Sequence, residues 1–215
     1  MAAPIGHIYL ALKLLVGPLV GVNEQAFILG ASFPDIRYAA HVPREYTHKA
    51  AVKWCDVVGE VDPFVAGMLF HSLVDEMREK HFLTHAPVYF QLQRFGSIGS
   101  YLVKAAEDIV LFSCLRDSEF VRHFDVILAQ EKLFIFDESV IRAWHDSLKN
   151  YFVCGPTAQS LAQLIGRDYR FGANVFYRLA NRIAQTERFR KWVISFYDNF
   201  ETILANSFSF ACMRA

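Results

Sequence analysis

Apolar residues recur three and four positions apart along most of this chain, and few segments alternate as strands do, so the chain is restricted to helices packed on helices. The spacing predicts helices over Gly6 to Val16, Glu24 to Gly30, Tyr46 to Val58 and Pro63 to Lys80. Further helical patterns lie at about 101–116, 137–152, 157–165, 172–185 and 187–205. Gly17-Pro18 stops the first helix and Ser32-Phe33-Pro34 the second, which leaves Asp35 in a turn or at a helix start. Asp62-Pro63 pairs a capping residue with proline at the first helical position. Residues Gln91 to Gly99 read as loop, with Gly96, Ser97, Gly99 and Ser100 close together. No repeat, low-complexity tract or linker separates these segments, so the expectation is one all-α domain over residues 1–215.

Within that frame, 53% hydrophobic residues, with twenty Phe and nine Tyr, supply a bulky core or a greasy pocket. The stripe Phe189, Trp192, Val193, Phe196, Tyr197, Phe200, Ile203 and Leu204 reads as core packing, because its opposite face is not uniformly basic as on a membrane-surface helix. Lys plus Arg and Asp plus Glu both number 22, so no net field draws a polyanion, and nucleic acid is disfavoured as a partner. Cys55, Cys114, Cys154 and Cys212 are scattered without paired spacing and read as reduced thiols. The start lacks a basic n-region, and no uncharged apolar run reaches the roughly 18 to 20 residues that cross a bilayer. A cytoplasmic location without a transmembrane segment is the expectation.

Against this apolar patterning, His71 and Asp75 occupy the side of a helix that ought to be buried. At i, i+4 they project from one face with Cβ atoms about 6 Å apart, close enough to share an ion. His7, Asp35 and His48 also sit inside apolar surroundings, and His81 follows. Imidazole with carboxylate suits zinc, while iron, manganese and nickel accept the same donors. His81 lies six residues beyond Asp75, about 240° round an ideal helix, and so belongs to a separate ion at the helix end. Arg78, within about 20° of His71, is a candidate phosphate clamp; its competing use is pairing with a nearby acid.

The segments Gly6-His7-Ile8-Tyr9-Leu10-Ala11, Gly30-Ala31-Ser32-Phe33-Pro34-Asp35, Thr47-His48, and Ala66-Gly67 with His71-x3-Asp75-x5-His81 resemble the zinc-dependent phospholipase C family. That superfamily includes the fungal and plant single-strand nucleases, and the resemblance covers roughly residues 5–85. It implies that Asp35, His48, His71 and Asp75 bind one metal, that Asp75 bridges, that His7 helps hold a further ion, and that His81 begins the remaining site. The secreted family members also use a processed N-terminal amine, and complete the His81-type site with a later His-x3-Glu pair. No such pair follows residue 81 here, and Glu107 and Asp108, with His85, are the possible substitutes.

The resulting expectation is a metal-dependent phosphoester hydrolase holding one or two ions, with Asp35 as candidate base, acting on a phospholipid or other small phosphodiester. The metal-site half would be about residues 1–110, covered by helices from about 111–215. Two alternatives stand beside it. One is a non-catalytic helical module whose ligands form a closed structural site. The other is a His-Asp phosphohydrolase built on His145-Asp146, with His123 and Asp168 as further ligands.

Overall fold

The computed structural model describes residues 4–85, 92, 96–115, 119–165 and 172–208. These form a single all-α domain, with no strand among the described residues. Helix α1 (Pro4–Leu15) and α2 (Glu24–Ser32) are followed by a 3-10 turn (Phe33–Ile36), a short α3 (Arg37–Ala40), a second 3-10 turn (Arg44–Tyr46) and a short α4 (Trp54–Val58). The long α5 (Pro63–His85) runs through the core, flanked by α6 (Ser97–Phe112). A 3-10 segment (Glu119–Asp125) and α7 (Ala129–Phe134) lead to α8 (Glu138–Cys154), α9 (Ala158–Ile165), α10 (Ala173–Ala184), α11 (Glu187–Asp198) and α12 (Phe200–Phe208).

Local chemistry sets the helix starts. Asn23 caps α2 by accepting from the Ala26 N–H at 3.0 Å, and Asp62 caps α5 by accepting from the Phe64 N–H at 2.8 Å, with Pro63 at the first helical position. Four expectations need correction. The helix predicted over Tyr46 to Val58 is mostly non-helical, because Thr47 donates to the Pro34 carbonyl and the Lys49 N–H donates to Ser72 Oγ, while Ala51 takes a left-handed φ of 54°. Helix α5 continues past Lys80 to His85. Ser97 to Gly99, read as loop, begin α6 behind Gly96, which supplies a φ of 71°. The 187–205 pattern is two helices broken at Asn199, yet its aromatic stripe stays on one buried face across the break, with Ile203 partly buried.

The crossing of α2 and α5 positions the functional residues. Gly30 and Gly67 meet there, and a Cβ on Gly67 would stand 2.3 Å from the Phe27 carbonyl oxygen and 2.7 Å from the Ala31 nitrogen. Only glycine permits that approach, and it brings the α5 face bearing His71 onto the end of α2. Phe27, Phe64 and Phe70 fill the space around it, each fully buried. Gly67→Ala gains helix propensity of about 1 kcal/mol, but forces two backbones apart at a cost of roughly 1–3 kcal/mol or more. Thermal unfolding should therefore show a lowered Tm for Gly67→Ala, and an unchanged or raised Tm would contradict this packing.

Candidate metal centre

Four elements deliver the cluster. His7 comes from the first turns of α1, Asp35 from the 3-10 turn after α2, His48 from the irregular stretch before α4, and His71 with Asp75 from α5. All five are buried or nearly so, and Asp75, at 12% side-chain exposure, is the most open. The rings of His7 and His71 stack at 4.0 Å, and His48 meets His71 edge-on at 5.0 Å. Two triads, His7 with His71 and Asp75, and Asp35 with His48 and His71, each place one ligand atom per residue within 4.8 Å of the others. Both use His71.

Hydrogen bonds on the outer ring nitrogens aim the inner ones. His71 Nδ1 donates to the Ala31 carbonyl at 2.8 Å, a contact that follows from the glycine crossing. Thr47 Oγ1 spends its proton on the Pro34 carbonyl, so it accepts from His48 Nδ1, 3.0 Å away. In both rings Nδ1 thus carries the proton and Nε2 presents a lone pair inward, as second-shell partners do for metal-binding histidines. His48 Nε2, His71 Nε2 and Asp75 Oδ1 are buried with no hydrogen-bond partner. Such atoms are costly to bury unless something else satisfies them.

The electrostatics prepare the same donors. Burial pushes the His48 imidazole down to about 4, against the pull of Asp35. Burial lowers His71 as well, although Asp35 and Asp75 oppose it. Burial acts to raise Asp75, but Lys104, then His71, His7 and Arg78, outweigh it and hold the carboxyl well below the usual range. Asp35 also lies below that range, because surrounding positive charge, His71 included, overrides its burial. Neutral imidazoles beside ionised carboxylates are the protonation states that a divalent cation requires.

The cluster is reached from outside. His48 and Asp75 line a cleft of about 560 Å³, together with Arg44, Lys49, Arg78 and Lys104. Arg44 and Lys104 were not singled out from the sequence. Lys104 shares a face of α6 with Glu107 and Asp108, at i, i+3 and i, i+4, and that spacing was the available signal.

The other expected site residues lie elsewhere. His81 stacks on His85 at 4.1 Å and packs against Phe196 at 5.0 Å, with burial lowering its pKa to about 4. His85, exposed, faces the His81 carbonyl through Nδ1. Glu107 does not join them: both its oxygens pair with Arg78, whose Nε donates at 2.6 Å, and Tyr197 Oη donates to it at 3.3 Å. Arg78 therefore lines the cleft with its guanidinium engaged by an acid 29 residues away. Asp108 accepts from the Gly6 N–H at 3.2 Å and lies 2.9 Å from Tyr151 Oη. Burial, with Glu107 adding to it, pushes the Asp108 carboxyl well above its ordinary value. Among the described residues, no metal-holding group forms around His81.

The His145-Asp146 constellation does not converge either. His145 is buried against Glu131 at 2.7 Å, Asp146 points outward and His123 meets Glu24 at 3.0 Å. Asp168 lies outside the described residues.

Fold and site together define an all-helical protein with a buried His/Asp cluster able to hold a metal ion. Comparison with protein-family models, curated proteins and solved structures finds no match for this chain. Among the described residues no helix is long and apolar enough to cross a membrane.

Asp108 yields a pH test. A carboxyl whose folded pKa is raised stabilises the protein fully below its unfolded value near 3.9, and that contribution is lost as pH rises through the folded pKa. Asp108→Asn keeps a neutral hydrogen-bonding group and removes the loss. Denaturant titrations should show its stability relative to wild type climbing as pH rises above about 4, the unfolded carboxyl's range. A difference flat with pH would contradict the protonated carboxyl.

Proposed function

We propose that the protein is a metal-dependent phosphoester hydrolase, with its metal centre built from Asp35, His48, His71 and Asp75 and extended by His7. The observation that carries this reading is the opening of the cluster, through His48 and Asp75, onto a cleft whose walls bear Arg44, Lys49 and Lys104. A purely structural site is enclosed on all sides by protein ligands, whereas a catalytic one keeps an approach for substrate. The sequence blocks similar to the zinc-dependent phospholipases C support the same reaction class. Zinc is the ion that this donor set favours, and iron, manganese or nickel are chemically compatible.

A divalent ion held there supplies Lewis-acid polarisation of a phosphate oxygen and a water made acidic near neutral pH. The chain's own residues do the rest. His71 Nε2 offers one lone pair and belongs to both triads, so it ties the two into a single centre. Asp35, the base expected from the sequence, lies deeper at 5% side-chain exposure, so in this proposal Asp75, the most open of the cluster at 12%, takes the proton from an attacking water in its stead and Asp35 holds charge beneath it. Helices beyond residue 111 serve as backing: Tyr151 and Tyr197 engage the carboxyls of Asp108 and Glu107 behind the site.

Zinc-loaded protein should hydrolyse bis(p-nitrophenyl) phosphate, lose the activity on chelation and regain it with zinc. His48→Ala, on an irregular segment at the cleft, should weaken metal binding and activity by about tenfold or more. Metal-loaded protein inert toward phosphomonoesters and phosphodiesters would leave the cluster as a structural site.

A further inference from the structure

The cleft carries two cations that metal binding does not require. Lys104 Nζ lies 3.5 Å from Asp75 Oδ1, and Arg44 Nη2 lies 3.5 Å from Asp75 Oδ2, so each carboxylate oxygen faces one cation. They come from different elements, α6 and the turn before His48. Lys104 is 15% exposed and Arg44 52%, so one is held close to the cluster and the other stands at its rim.

Charge counting gives them a use. Asp35 and Asp75 bring two negative charges and the imidazoles none, which one divalent ion balances. Asp75 then has no charge left for Arg44 and Lys104. The other cleft arginine, Arg78, is already paired with Glu107, and Glu76 is paired with Lys80. Glu45 and Glu79 also line the cleft, with Lys49 to offset one of them. Beside the metal position itself one of the two glutamates remains to be offset, so the local surplus is about one positive charge, shared between two groups suited to phosphoryl oxygens: a planar guanidinium fork and a compact ammonium.

The walls set the rest of the ligand. Among the described residues, the apolar side chains lining this cleft are those of Ala50 and Ala51. A lipid tail gains about 0.8 kcal/mol per buried CH₂, and two alanines among charged and polar side chains offer it no deep apolar pocket.

We infer that Arg44 and Lys104 form the phosphoryl grip of this site, and that its substrate is a small, water-soluble phosphoester rather than a lipid. This rests on the metal-centre reading above. It narrows the phosphoester class toward one whose phosphate enters between Arg44 and Lys104, over Asp75.

The test is calorimetric titration of zinc-loaded protein with inorganic phosphate, with zinc measured in the same samples. Wild type should bind phosphate, and Arg44→Gln and Lys104→Gln should each weaken it by about tenfold or more at unchanged zinc content, since a charge-assisted hydrogen bond is lost. Lys104→Arg should restore much of the binding. Arg44→Gln, at an exposed position, keeps the test valid if Lys104→Gln unfolds. Zinc-loaded variants that bind phosphate like wild type overturn the grip alone. Wild type that holds no zinc overturns the metal centre, and the charge count with it. A second arm uses phosphatidylcholine vesicles: the protein should neither co-sediment with them nor release phosphocholine, while still binding free phosphate. Co-sedimentation with hydrolysis would overturn the water-soluble class.

Discussion

Two carboxylates and three imidazoles buried within one cluster are an electrostatic demand that the rest of the structure is arranged around. Left alone, Asp35 and Asp75 would repel one another across a few ångströms of low dielectric, and inward-facing lone pairs on His48 and His71 would go unmet. Arg44 and Lys104 offset part of Asp75's charge from the cleft side. The inward-facing Nε2 atoms of His48 and His71 have no hydrogen-bond partner, and a cation bound by these donors would satisfy them.

The scaffold meets that demand with unusual closeness. Gly30 and Gly67 let α2 and α5 approach until the Ala31 carbonyl can orient His71, and Thr47 links Pro34 to His48. Behind the site, Arg78 and Glu107 form a fully buried ion pair within a set that includes Tyr197, and Asp108 bonds to Tyr151 and the start of α1. Breaking such a pair by removing one partner costs about 3–5 kcal/mol, so these groups give the His/Asp cluster a stiff backing. Gly6 belongs to the same arrangement: a Cβ there would strike Tyr197 Oη at 2.2 Å, which fixes how closely α1, and therefore His7, can lie against α11.

Much of this was legible in the chain. Helical periodicity marked an all-α fold, and the i, i+4 spacing of His71 and Asp75 placed both on one buried face. The blocks around Asp35 and His48 identified partners that no spacing rule links to α5. What could not be read depends on contacts between distant segments. Glu107 and Asp108 looked like spare ligands, because their actual partners, Arg78 and Tyr151, lie 29 and 43 residues away. Arg44 and Lys104 come to either oxygen of Asp75 only through the fold, from segments about 30 residues to each side of it. Residues 47–53 have helical patterning but surrender it to side-chain bonds with Pro34 and Ser72. His81 was assigned to a helix end, whereas α5 runs on to His85 and packs His81 against aromatic rings.

The most direct measurement is metal content per chain, by elemental mass spectrometry, on wild type and His71→Ala purified without chelator or added metal. The account predicts about one equivalent of a first-row divalent ion in wild type and almost none in His71→Ala, because His71 is common to both triads. A wild-type chain that is folded, metal-free and unable to take up zinc would contradict it, as would a His71→Ala chain that keeps its ion.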